Sequence, residues 1–174
     1  TRLVGSEMCI RDRVCKPVKS VSLRTRILIE DMFDTMYESG GVGLAAPQIG
    51  VLKRIVVMDT DDNQHVLINP QILEVSGEQT GYEGCLSIPG KSGIVTRPDY
   101  VKVKALNERG EEYVLEGEGL LARCICHECD HLDGILYSDK AEGGLINNED
   151  LPEDEEEELY EDAYEEFTEE EIHK

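Results

Sequence analysis

The chain has 174 residues, 40% of them hydrophobic and 32% charged, with two Phe, seven Tyr and no Trp. That length and composition suit one soluble domain with a buried core, and no apolar run approaches the roughly 20 residues a membrane span requires. The net charge of −21 is concentrated at one end: residues 149–174 carry fifteen acids and one Lys, leaving −7 for the rest, and with no basic stripe nothing points to nucleic-acid binding.

Residues 1–13 show no clean periodicity and no basic-then-apolar secretory pattern, and they read as an arm foreign to the fold or divergent from it, so Cys9 carries no functional weight. The other cysteines are Cys15, Cys85, Cys124, Cys126 and Cys129. Three of them crowd one short stretch, where they cannot staple distant loops. Free thiols in a reducing, cytoplasmic compartment are expected.

Residues 22–39 turn helical. Ser22 is the expected N-cap, Leu23, Ile27, Met32, Phe33 and Met36 form the apolar stripe, and Gly40-Gly41 ends it. Next comes Gly-Val-Gly-Leu-Ala-Ala-Pro-Gln-Ile-Gly (41–50). Its small residues let backbone approach something closely, but it lacks the Lys-Ser/Thr of a phosphate loop. Residues 51–58 and 65–68 read as strands with Asp61-Asp62-Asn63 turning between them, and 71–75 as another strand. Glu83-Gly84-Cys85-Leu86-Ser87-Ile88-Pro89-Gly90 gives a cysteine in a glycine-flanked bend. Residues 100–106 and 111–115 alternate and are joined by Glu108-Arg109-Gly110, a hairpin signature.

Residues 124–134, Cys-Ile-Cys-His-Glu-Cys-Asp-His-Leu-Asp-Gly, contain an H-E-x-x-H run. On a helix, His127 and His131 share one face, and Glu128, rotated by roughly 100°, can reach a water on a bound metal. The apolar 119–122 leads in and Asp133-Gly134 stops the helix. A catalytic site of this kind takes three protein ligands and a water, so a third ligand comes from elsewhere. Cys85 is the candidate, although its chemistry fits a small buried hydrophobe equally well. From residue 149 the chain is acidic and low in complexity. Leu159, Tyr160, Ala163, Tyr164 and Phe167 fall at helical spacing within it, giving a solvated helix or tail, or an amphipathic partner-binding helix.

The expected class is therefore α+β: antiparallel strands packed around a central metal-binding helix, with a further N-terminal helix and an acidic C-terminal helix or tail. The expected division is an arm (1–13), one catalytic domain (14–148) and the acidic end (149–174).

Residues 41–48, 83–87 and 127–134 resemble, in order and spacing, the three motifs of peptide deformylase, over about residues 14–139. The chain departs from that family at its start, where the usual N-terminal strand is missing or replaced. It departs again at Cys126, where a Gln is common. The resemblance implies a hydrolase that removes the formyl group from the N-terminal formyl-methionine of newly made polypeptides and releases formate, a metal-bound water attacking. It implies that Cys85, His127 and His131 hold one divalent metal, iron(II) in the cell, with zinc, nickel or cobalt able to occupy the site. Glu128 would be the general acid and base. Gln48 through its side-chain amide and Leu86 through its backbone N–H would serve the oxyanion. Val42, Gly43 and Leu120 would wall the methionine slot, and main-chain groups of Val42 and Gly84 would pair with the extended peptide. Arg123 stands where many relatives have an apolar residue, and its spacing puts it at the pocket rim or toward water. The partners implied are formyl-methionyl nascent peptides and, transiently, the ribosome, although an acidic end is repelled by RNA.

Two other readings remain. A zincin-type peptidase would draw its third ligand from a downstream acid such as Glu149, 18 residues after His131. A structural zinc module would use Cys126 and Cys129 with Cys124 or a histidine.

Overall fold

The computed structural model describes residues 10–152. Cys9 and the apolar spacing from Leu159 to Phe167 lie outside them. Among the described residues the strands form two antiparallel sheets. The larger has the order β1-β2-β3-β6-β7, built from β1 (Gly43–Ala45), β2 (Ile55–Asp59), β3 (Gln64–Ser76), β6 (Tyr100–Leu106) and β7 (Glu112–Glu118). The smaller has the order β4-β5-β8, from β4 (Gln79–Cys85), β5 (Ile88–Arg97) and β8 (Glu142–Asn147). Helix α1 (Leu23–Glu38) precedes the strands, and α2 (Gly119–Leu132) follows β7.

Strand β2 explains the layering. Ile, Val, Val and Met in succession are all fully buried, which a strand tolerates only when both its faces are covered. Side chains alternate across a strand. Ile55 and Val57 accordingly join a core with α1 residues Ile29, Met32, Phe33 and Met36, together with Leu44, Val66 and Ile68. Val56 and Met58 join the other core, with Ala45, Leu67, Val101, Val103 and α2 residues Ala122, Ile125, Cys129 and Leu132. The larger sheet thus lies between α1 and α2. Hydrogen bonds from Arg123 to Val95 and Gln79 tie α2 on its far side to the smaller sheet. The H-E-x-x-H helix is central, as expected.

Several elements differ in detail from the sequence reading. Helix α1 begins at its expected cap, Ser22, whose hydroxyl accepts the Thr25 N–H. Its buried face runs through Thr25, Ile29, Met32, Phe33 and Met36, while Leu23 and Ile27 are exposed. The two strands expected at 65–68 and 71–75 are one strand, β3, broken only in register. Asn69 sits at φ 53, and the pairing with β6 shifts between Ile68 and Gln71. Pro70, which has no N–H to give a ladder, falls within that irregularity. Asn69 is fixed there by exchanging two hydrogen bonds of 2.8 Å with the backbone of Val18. Residues 51–54, expected to be strand, are not part of β2. The bend expected at 83–90 narrows to a turn at Leu86-Ser87 between the end of β4 and the start of β5.

Residues 10–13, read as part of an arm foreign to the fold or divergent from it, pack against the end of α2. Ile10 is fully buried, and the Asp12 N–H donates to the Gly134 carbonyl at 3.0 Å. No helix among the described residues is long and apolar enough to cross a membrane.

Candidate metal centre

Helix α2 presents His127 and His131 one turn apart, their rings edge to face with centroids 4.7 Å apart and their Nε2 atoms 3.0 Å apart. Cys85 comes from the end of β4. The ladder with β5 slips between Gly84 and Cys85, a bulge of the kind that re-aims a side chain, and its Sγ lies 3.3 Å from His131 Nε2. The three ligand atoms lie within 4.8 Å of one another. Ligands around a tetrahedral divalent ion stand roughly 3.3–3.6 Å apart, so small adjustments seat one ion among them. A sulfur with two imidazole nitrogens suits zinc, iron, nickel or cobalt.

Neither competing ligand set assembles: the Cys85, His127 and His131 cluster is the one group of metal-ligating type among the described residues. Cys126 and Cys129 are core residues beside Val56 and Leu132. Glu149 sits in a short 3-10 turn (Asn148–Asp150) outside the cluster.

Glu128 is almost completely buried, and its Oε2 has no partner among the described residues. An orphaned carboxylate oxygen next to the ligand candidate His127 is what a site built for a metal and a water presents. Burial, partly opposed by the charge on His127, pushes its pKa up to about 7. Space for it is made by Gly43, where an added Cβ would stand 2.8 Å from Glu128 Oε1 and 2.7 Å from Cys124 Sγ.

Burial alone would lower the pKa of His127, but hydrogen bonds to Cys85 and Glu83 outweigh it and hold the imidazole up at about 10. His131 is pushed the other way, by burial and then by the charge on His127. Of the two rings, His127 is thus the one that favours the charged, doubly protonated form. A metal held at His127 Nε2 would take the place of a proton there, with the Nδ1–H still donated to Glu83.

Glu83 is the functional residue that sequence reasoning passed over. It accepts from His127 Nδ1, from Arg97 through Nε (3.2 Å) and Nη2 (2.7 Å), and from Arg123 Nη1 (2.7 Å). Burial would raise its carboxyl, but the bonds from His127 and Arg97 prevail and hold it well below the ordinary carboxylate range. Arg97 also reaches Asp130 at 2.6 Å, and Lys140 joins Asp130 at 2.9 Å. Such a carboxylate fixes the tautomer and the plane of a ligating histidine. The sequence held no signal for it, because residues 83–90 read as a bend and Arg97, Arg123 and His127 meet Glu83 only in the fold.

Gln48 lies in the 3-10 turn Ala46–Ile49. Its Oε1 accepts the Ala45 N–H at 2.9 Å, which turns Nε2 toward Ser87 Oγ (3.2 Å) and Cys85 Sγ (3.8 Å). Leu86 follows Cys85, and the Ser87 N–H reaches the Cys85 sulfur at 3.5 Å. Val42 is 40% and Leu120 41% exposed, open enough to meet a substrate. The Val42 carbonyl already accepts the Asp59 N–H at 2.8 Å. Leu120 also borders a cleft of about 530 Å³ lined by Asp61, Glu116 and Glu118, in which none of the three ligands takes part.

Of the two expectations for Arg123, the water-facing one is corrected: it is 9% exposed, and its guanidinium is turned onto Glu83 and the carbonyls of Val95 and Gln79.

Residues 5–144 match the model of the polypeptide deformylase family. The chain is 61% identical over 133 residues to the peptide deformylase of Agathobacter rectalis, covering 76% of this chain and 84% of that one. It is 54% identical over 159 residues to that of Lachnoclostridium phytofermentans, covering 90% and 96%. The crystal structure of the Thermotoga maritima peptide deformylase superposes with a TM-score of 0.75 at 40% identity, covering 81% of this chain and 95% of that one. The Synechococcus elongatus enzyme, in complex with actinonin, gives 0.74 at 38%, covering 91% and 81%.

Proposed function

The chain belongs to the peptide deformylase family, and from that premise we infer that Cys85, His127 and His131 hold its metal and that Glu128 carries its proton transfers. The enzyme removes the formyl group from the N-terminal methionine of newly made polypeptides and releases formate. The observation that carries the residue assignment is the convergence of the Cys85 sulfur and two imidazole nitrogens within 4.8 Å, with the buried, unpartnered carboxylate of Glu128 alongside.

Hydrolysis of a formamide needs a nucleophile, a partner for the developing oxyanion, and a proton for the leaving amine. A divalent ion held by these three residues supplies a water that ionises near neutral pH and a Lewis acid for the carbonyl oxygen. Glu128, buried next to His127, takes a proton from the attacking water and returns it to the amine nitrogen. Gln48, its amide orientation fixed by the Ala45 N–H, directs Nε2 to the sulfur side of the site, where it donates to the oxyanion together with the Leu86 N–H. Glu83 keeps the Nδ1 proton on His127, leaving Nε2 free to ligate. Val42, Gly43 and Leu120 wall the methionine side chain, and main-chain groups of Val42 and Gly84 take up the peptide.

The metal in the cell is iron(II), which zinc, nickel or cobalt can replace at this donor set. The reaction takes place in the cytoplasm on nascent chains at the ribosome, without docking through the acidic end. Protein purified without oxygen is expected to release formate from a formyl-methionyl tripeptide and nothing from its acetyl counterpart. Absence of formate release from protein carrying one metal per chain would overturn the assignment.

A further inference from the structure

Glu83 accepts more than the fixing of His127 requires. Its Oε1 takes the His127 Nδ1–H and Arg97 Nη2, and its Oε2 takes Arg97 Nε and Arg123 Nη1. Arg97 sends its remaining nitrogen to Asp130, so one positive charge is divided between two carboxylates. Arg123 supplies a second buried guanidinium to Glu83, while Lys140 serves Asp130 at 2.9 Å. Without Arg123, a carboxylate 6% exposed would lose one of the two guanidiniums paired with it, a costly change in a dry interior.

Its place on the helix matters as much as its charge. Arg123 and His127 are four residues apart on α2 and stack along one face. Both reach Glu83, which therefore touches the same helix at two points one turn apart. Arg97 ties Glu83 to β5 and, through Asp130, ties β5 to α2. Arg123 binds the carboxylate to α2 itself, so that the His127 ring and its acceptor move as one body. The same guanidinium spans the β4–β5 hairpin through Val95 O (3.1 Å) and Gln79 O (3.4 Å).

We propose that Arg123 is a positioning residue for the metal ligand His127, acting through Glu83, and not a part of the substrate pocket. The proposal rests on the reading of His127 as a ligand. Outer partners of ligating histidines are typically worth about 10–100-fold in metal affinity, and Arg123 shares that role with Arg97.

The test uses full-length protein loaded with zinc and measures the rate of zinc release to a chromogenic chelator, alongside kcat, KM and Tm. Arg123→Met is expected to release zinc about tenfold faster and to lower kcat severalfold, with KM for a formyl-methionyl peptide within about twofold of wild type. Arg123→Lys, which keeps one charged bond to Glu83 but cannot span the hairpin, is expected to restore zinc retention to within about threefold of wild type while leaving Tm lowered. Zinc release from Arg123→Met at the wild-type rate would overturn the proposal. So would a change confined to KM or peptide preference, which would put Arg123 in the pocket. If Arg123→Met does not fold, Arg123→Lys decides alone: retention near wild type supports the role, and release tenfold faster removes it. His127→Ala separates the underlying reading, because a variant that keeps zinc as wild type does would show that His127 is no ligand.

Discussion

Gly43 is where the smallest change should do the most selective damage. Its φ lies outside the left-handed region, so the backbone accepts alanine, and the obstacle is space alone. An added Cβ would stand 2.8 Å from Glu128 Oε1, 3.0 Å from Glu128 Cγ and 2.7 Å from Cys124 Sγ. Carbon contacts are favourable at about 3.5–4.0 Å, so Glu128 must retreat by roughly 0.5–1 Å. A shift of that order in a catalytic group costs up to about 10²-fold, against the roughly 10²–10⁴-fold that a positioned acid–base contributes. Gly43→Ala is therefore expected to lower kcat for formate release about 30–100-fold while metal content stays at wild type, because no ligand is touched. Overpacking should cost about 1–3 kcal/mol of stability, measured by denaturant unfolding. Adding Cys124→Ala relieves the sulfur contact but not the carboxylate, so Tm should recover in part and kcat should not. A fully metallated Gly43→Ala with kcat within threefold of wild type would refute the reasoning. So would full recovery of kcat in the double variant, which would assign the damage to Cys124.

Three further outcomes follow from the same geometry. Glu128→Ala should keep its metal, measured by elemental analysis, and lose at least about 10²-fold in kcat; near-normal turnover would remove Glu128 from the chemistry. In the metal-free protein the Glu128 carboxyl holds its proton up to about 7, against 4.5 for a free one. The folded state therefore binds more protons than the unfolded between those values, and this group's contribution to stability is lost as pH rises through that window, by roughly 3 kcal/mol at most. Stability measured from pH 4.5 to 7 should fall more steeply for wild type than for Glu128→Gln, and parallel curves would contradict the assigned burial. Gly134 has φ 74, and an added Cβ would meet Arg13 N at 2.5 Å. Gly134→Ala should then cost about 2–4 kcal/mol through strain and the loss of Ile10 burial, and a change under about 0.5 kcal/mol would show that residues 10–13 do not bear on that turn.

What could be read from sequence was mostly local. The metal helix carries its own periodicity and its Gly134 stop, and Ser22 announces the start of α1, because caps and helical faces depend on residues within a turn or two. The strands of the smaller sheet were illegible for the complementary reason: Gly81, Gly84, Gly90 and Gly93 dilute any alternation, and their pairing is specified only by partners far along the chain. Cys85 shows the same limit, since its chemistry fits a core residue equally well and only the resemblance to a family made it a ligand. For Glu83 nothing in the bend read at 83–90 pointed to its partners, because Arg97 meets it only once β4 and β5 pair. Arg123 was placed on the correct helical face, yet spacing gives the direction of a Cβ and not the end of a long side chain. A buried carboxylate across the hairpin decided that.

The account stands on the sulfur of Cys85 meeting two histidines of α2 at one divalent ion. Side-by-side metal analysis of wild type and Cys85→Ala, both purified without oxygen, tests this most directly. Wild type should carry one divalent ion per chain, and the variant, its fold verified by circular dichroism, less than about a tenth of that. A Cys85→Ala protein that retains one tightly held ion per chain would contradict the account.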